Sequence, residues 1–182
     1  MCRKNTAVAR PWVNVILGVS LVFGATATGQ KLDWRHIGNT ALDRSLAGVA
    51  TGPVERVWYA SDGSRLLALT NARRVFATSD FETWTEAEGE PVANTGPEAA
   101  RLPESGAQVR AAALTPGRLY AYGRFVYRSD DGGATWTNLT GYRSISIIGD
   151  GLTDLAVSPK DADQIAVAAS SGVWRSADGG LS

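Results

Sequence analysis

The feature that most constrains this 182-residue chain is a threefold internal repeat. Residues 57–87, 110–140 and 153–182 line up with one another. Each copy reads as an apolar strand, a short polar turn, a second apolar strand, a tight turn, an aromatic-bearing strand, then an Asp turn. In the first two copies a Trp follows. The aromatic positions Phe76, Tyr127 and Trp174 recur about every fifty residues, and Trp84 and Trp136 keep the same interval. A unit of this size cannot bury its apolar faces alone, so copies must stack.

Four short strands per unit at that period predict an all-β chain, a β-propeller of four-stranded antiparallel blades. Large apolar and polar side chains roughly alternate over 124–129 and 172–176, as half-buried strands require. Residues 111–114 and 155–157 are short and apolar, the pattern of an inner strand lining a crowded channel. No segment after residue 27 carries a helical period with caps. About three blades are present, at 57–87, 110–140 and 153–182. Propellers typically have about four to eight, so the ring is expected to be incomplete. Six tryptophans and twenty glycines agree with a turn-rich β protein. Residues 86–109, rich in Glu, Pro and Gly, read as a solvated excursion between blades, with a loop rimming a binding face as the alternative.

A short motif recurs in register with the blades. Ser129, Asp131, Gly133, Thr135 and Trp136 follow the pattern S-x-D-x-G-x-T-W. Ser176, Asp178 and Gly180 repeat it, and the chain stops one residue before the expected Trp. A shortened copy without glycine lies around Ser79, Asp80 and Trp84. The Asp carboxylate is expected to accept backbone N–H groups of its own turn, and the Gly to take a positive φ. The Trp is expected to cover the blade edge. This spacing resembles the Asp-box, or BNR-repeat, propellers, a group that includes secreted bacterial sialidases, xyloglucan-active glycoside hydrolases, sortilin-type receptors and photosystem II assembly factors. The resemblance covers residues 57–182 and implies that the box carboxylates are structural. The chain is expected to be an N-terminal fragment, aggregation-prone on its own, whose third blade lacks its outer strand. Trp34, ahead of the first blade, echoes the start of such a strand, so residues 28–56 are a candidate ring-closing segment.

Residues 1–27 read as a signal peptide: Arg3, Lys4 and Arg10, an apolar run over 13–23, and a small-residue site ending at Ala27. The expected location is secreted or periplasmic, with no stable membrane insertion after cleavage, because the apolar run is too short to span a bilayer. Without those residues the chain is mildly acidic and has no basic footprint for nucleic acid. Cys2 is the only cysteine, so the mature chain has no disulfide or Cys-based metal site. No cofactor and no metal are expected, and Asp161 and Asp163 read as turn residues.

Catalysis finds little footing. Sialidases of the resembled group need an arginine triad, a Tyr nucleophile with a Glu partner and an Asp acid/base, announced by an Arg-Ile-Pro motif absent here. Tyr122 and Tyr127 read as packed strand residues. A xyloglucanase-type enzyme needs two carboxylates across a cleft, for which Asp154 is the catalytic candidate. His36 is the only histidine, and no triad can form around it. The expectation is a non-catalytic binding or scaffolding module for a protein or carbohydrate ligand. A glycoside hydrolase with most catalytic groups beyond residue 182 is the alternative.

Overall fold

The computed structural model describes residues 34–37, 52–89, 96–97 and 99–181. The signal peptide reading falls outside these residues. The described chain is all-β: it forms three four-stranded antiparallel blades and a small hairpin. The first sheet runs β2 (Val54–Tyr59), β3 (Leu66–Thr70), β4 (Val75–Thr78) and β5 (Thr85–Ala87). For the second the order is β6 (Gln108–Ala111), β7 (Leu119–Tyr122), β8 (Val126–Ser129) and β9 (Thr137–Asn138). The third contains β12 (Asp154–Val157), β13 (Ile165–Ala169) and β14 (Gly172–Ser176). Its outer edge is β1 (Arg35–Ile37), from the other end of the chain. The hairpin is β10 (Gly141–Tyr142) with β11 (Ile145–Ser146).

The strands β3, β7 and β13 are buried along their whole length. A strand covered on both faces need not alternate, which is why LLALT, LYAY and IAVAA read as continuous apolar runs. The second inner strand lies at Gln108–Ala111 rather than at the expected 111–114. Residues 112–117 instead form the turn, and Leu114 is exposed.

The sheets do not pack in chain order. One core joins Val57, Leu66, Phe76 and Trp84 of the first sheet to Ala156, Ala166, Ala168 and Val173 of the third. A second joins Tyr120, Tyr122 and Val126 of the second sheet to Leu155, Ile165 and Val167 of the third. The third sheet is therefore the central one, covered on both faces, and not a terminal blade with an open flank. Alanines on its first-sheet face allow the two sheets to approach closely.

The third sheet does not lack an outer strand either. β1 pairs with β14 so that His36 lies opposite Trp174. This matches the other two sheets, where Glu86 lies opposite Phe76 and Asn138 opposite Tyr127. In each case the partner of the aromatic is the second residue after a Trp: Trp84, Trp136 and, in the third sheet, Trp34. Trp34 is buried in the core between the second and third sheets.

The excursion after the first sheet is also not simply solvated. Ala99, Ala107 and Trp136 pack with Val109, Leu119 and Ala121 on the face of the second sheet that no described blade covers. Ala100 N–H donates to the Gly132 carbonyl, and the Trp136 indole N–H donates to the Arg101 carbonyl at 2.7 Å. Burying that apolar face against its own connector avoids an exposed patch.

Candidate functional site

The turns that begin at Ser129 and Ser176 are hydrogen-bonded knots at the ends of the third strands. The Ser129 hydroxyl donates to Asp131 Oδ1 at 2.7 Å and accepts the Gly133 N–H at 2.8 Å. Asp131 also accepts the Thr135 N–H and hydroxyl at 2.9 and 2.7 Å. The Thr135 N–H is the main cause that holds the Asp131 carboxyl down at about 2. Gly132 and Gly133 both have positive φ, which few other residues tolerate. Ser176, Asp178 and Gly180 repeat the pattern, with Leu181 N–H as a further donor at 3.1 Å. All these acceptor oxygens are committed to the turn.

The shortened first box differs from its sequence reading. Its hydroxyl comes from Thr78, not from Ser79, which is exposed. Asp80 accepts the Glu82 and Thr83 N–H groups, which hold its carboxyl far below the usual range. Phe81 takes the glycine's place with φ 63. Its ring lies 4.0 Å beneath the Arg175 guanidinium of the third sheet, a contact that offsets the backbone strain.

Asp154 is the point where the three blades meet. It opens β12 and is 1% exposed. Its Oδ1 accepts Arg110 Nη2 at 2.8 Å, the Tyr122 hydroxyl at 3.3 Å and the Leu155 N–H at 2.9 Å. Its Oδ2 accepts the Val57 N–H at 3.2 Å and faces Arg56 Nε at 3.4 Å. One carboxylate of the third sheet thus binds two groups of the first and two of the second. Burial, with the Asp154 charge second, raises the Tyr122 pKa. The sequence pointed to Asp154 but not to Arg56, Arg110 or Tyr122. The missed signal was a lone charge within the inner strands of the second and third sheets, Arg110 and Asp154, of opposite sign in successive repeats.

Beside this hub lies a cavity of about 360 Å³ between the ends of the inner strands. Trp58, Tyr59, Ser61, Pro97, Arg110 and Pro159 contribute to its wall, which contains no carboxylate among the described residues. Among the described residues, the Tyr59 hydroxyl and Arg110 Nε are buried without a hydrogen-bond partner. Burial drives the Tyr59 hydroxyl up to about 12, so it stays a proton donor. Two unpaired polar groups beside aromatic walls suit a polar ligand group.

Groups of enzymatic interest are committed elsewhere. The Tyr127 hydroxyl lies 2.9 Å from Glu104, the residue pair a sialidase would use. Burial and then Glu104 raise Tyr127 to about 12, the reverse of an activated nucleophile. Asp161 accepts the Asp163 N–H of its own turn, and Asp163 pairs with Arg118, which also binds Asp130. His36 packs edge-on to Trp174, and its Nε2 meets the Ser171 carbonyl at 2.7 Å.

No family model matches this chain, and no curated protein matches it. Solved structures do show likeness. YCF48 bound to D1 peptide is 13% identical, with TM-score 0.31 over 82% of this chain and 42% of that one. The GH74 enzyme of Niastella koreensis is 20% identical, with TM-score 0.29 over 69% of this chain and 22% of its own. The GH74 xyloglucanase from Xanthomonas campestris is 18% identical, with TM-score 0.30 over 73% and 22%. The chain thus spans less than half the length of each, and none of these likenesses bears on its chemistry.

Proposed function

We propose that this chain is an exported, non-catalytic binding module, taking a peptide or glycan group at the cavity between the inner strands. The observation that carries this reading is the cavity wall: aromatic side chains and Arg110, with no carboxylate among the described residues. Glycoside hydrolysis needs two carboxyl groups flanking one bond. Asp154, the candidate for one of them, is buried and its oxygens are occupied by donors from three sheets. Such a group holds blades together and has no free lone pair for a substrate proton. Export rests on the signal peptide of residues 1–27.

Ser61 is an exposed turn residue on the cavity wall. Ser61→Trp is therefore expected to fill the cavity without touching the hub. The purified chain and this variant would be compared on peptide and glycan arrays, with thermal unfolding as a control. The expected result is retention of a subset of peptides or glycans by the parent chain, lost in Ser61→Trp at unchanged Tm. Release of reducing sugar from xyloglucan oligosaccharides, abolished by Asp154→Asn, would overturn the proposal.

A further inference from the structure

The connection between the second and third sheets carries the β10–β11 hairpin. Tyr142 and Ile145 are paired across it, and they are 57% and 64% exposed. Its two turn residues, Arg143 and Ser144, have φ 48 and 69. Asn-Gly would adopt this turn at lower strain. That guanidinium lies 5.3 Å from the Tyr142 ring centroid. Arg124 donates to the Ser144 carbonyl at 2.7 Å and lies over the Phe125 ring at 5.2 Å.

The hairpin is seated firmly at its base. Ile147 N–H donates to the Thr140 carbonyl at 2.9 Å, and Ile148 is fully buried. Its outer part is an apolar pair with two arginines, neither of which pairs with a carboxylate among the described residues. Glu104, the nearby acid, is taken up by the Arg124 N–H and the Tyr127 hydroxyl. β10 and β11 pair only with each other among the described strands, and their outer groups are partly used within the chain: the Gly141 N–H donates to Asn138 Oδ1 at 2.7 Å and the Gly149 N–H to the Ser146 carbonyl at 3.3 Å.

We infer that this hairpin is a docking site for an extended acidic peptide segment. The segment would lie across the hairpin, its carboxylates meeting Arg124 and Arg143 and its apolar side chains covering Tyr142 and Ile145. Two arginines flanking an apolar pair favour carboxylates over neutral or basic partners. The site is separate from the inner-strand cavity and does not depend on it.

The test uses the whole chain and two fluorescein-labelled ten-residue peptides. One alternates Glu with Val and Tyr, and the other has Lys at every Glu position. Fluorescence anisotropy is expected to show the acidic peptide binding about tenfold or more tighter, weakening as salt rises. A Tyr142→Ala, Arg143→Glu variant is expected to lose that binding at unchanged Tm, while Ser61→Trp retains it. Equal binding of both peptides, no binding of the acidic one, or an unaffected double variant would overturn the inference. So would tighter binding of the chain to vesicles containing anionic lipid than to the acidic peptide.

Discussion

The second and third sheets have the same outer edge built in two ways. In the second, β9 directly follows the turn that begins at Ser129, and Trp136 leads into it. In the third, the edge is β1, more than a hundred residues away in sequence, and Trp34 leads into it. The register is nonetheless identical: Asn138 faces Tyr127, and His36 faces Trp174. Register is therefore encoded by the Trp and the strand after it, not by a continuous hairpin. The energetics differ. A local hairpin closes a short loop, whereas β1 must close a long one, and burial of Trp34 offsets that entropy.

Removing Trp34 should break this equivalence most. Trp34 is 7% exposed, and Trp34→Ala is expected to cost about 4 kcal/mol and free β1 from β14. Trp136→Ala, at a half-buried indole, should cost clearly less and leave β9 in place. Chemical denaturation of both variants, with amide exchange of residues 35–37 and 137–138, reads the difference. Equal losses would mean that connectivity is irrelevant to how firmly an edge strand is held.

The union of the third sheet with its neighbours should be next in size. Asp154→Asn leaves Arg110 buried beside a neutral group and is expected to cost about 3 kcal/mol. Arg110→Met in the Asp154→Asn background should recover part of that loss, because it removes the uncompensated cation. A double-mutant cycle with no coupling would contradict the hub.

The smallest effect sharpens the comparison at the Asp box. Asp131 has a folded-state pKa of about 2 against its ordinary value of 3.8. Its contribution is therefore complete above about pH 4 and is lost as pH falls through 2. Denaturation midpoints measured between these limits should fall with acid, and Asp131→Asn should flatten that fall. An unchanged slope would remove the carboxylate from the account of the box.

Much of the blade pattern was legible because it is local. Alternation, turn residues and the box spacing each act over a few residues, and they located most strands and the box around Ser129, Asp131 and Gly133. Where they erred, at 111–114 and at Ser79, the shift was a few residues or one, since neighbouring Ala, Leu, Ser and Thr satisfy the same pattern. Asp154 stood out as a charge in an inner strand, yet its role did not. A catalytic carboxylate and a buried ion-pair hub look alike until their partners are known.

Four-stranded β units with hydrogen-bonded Asp turns are legible in the residues alone. Those follow from backbone geometry and from hydrogen bonds within one turn. The central place of the third sheet, its completion by β1 and the cover that Ala99 and Ala107 give the second sheet emerge only when the chain is assembled. An open strand edge accepts any strand that can reach it, and an apolar face accepts any apolar cover. The winner is the one that buries most surface in the assembled fold, a property of the whole molecule that no single segment carries.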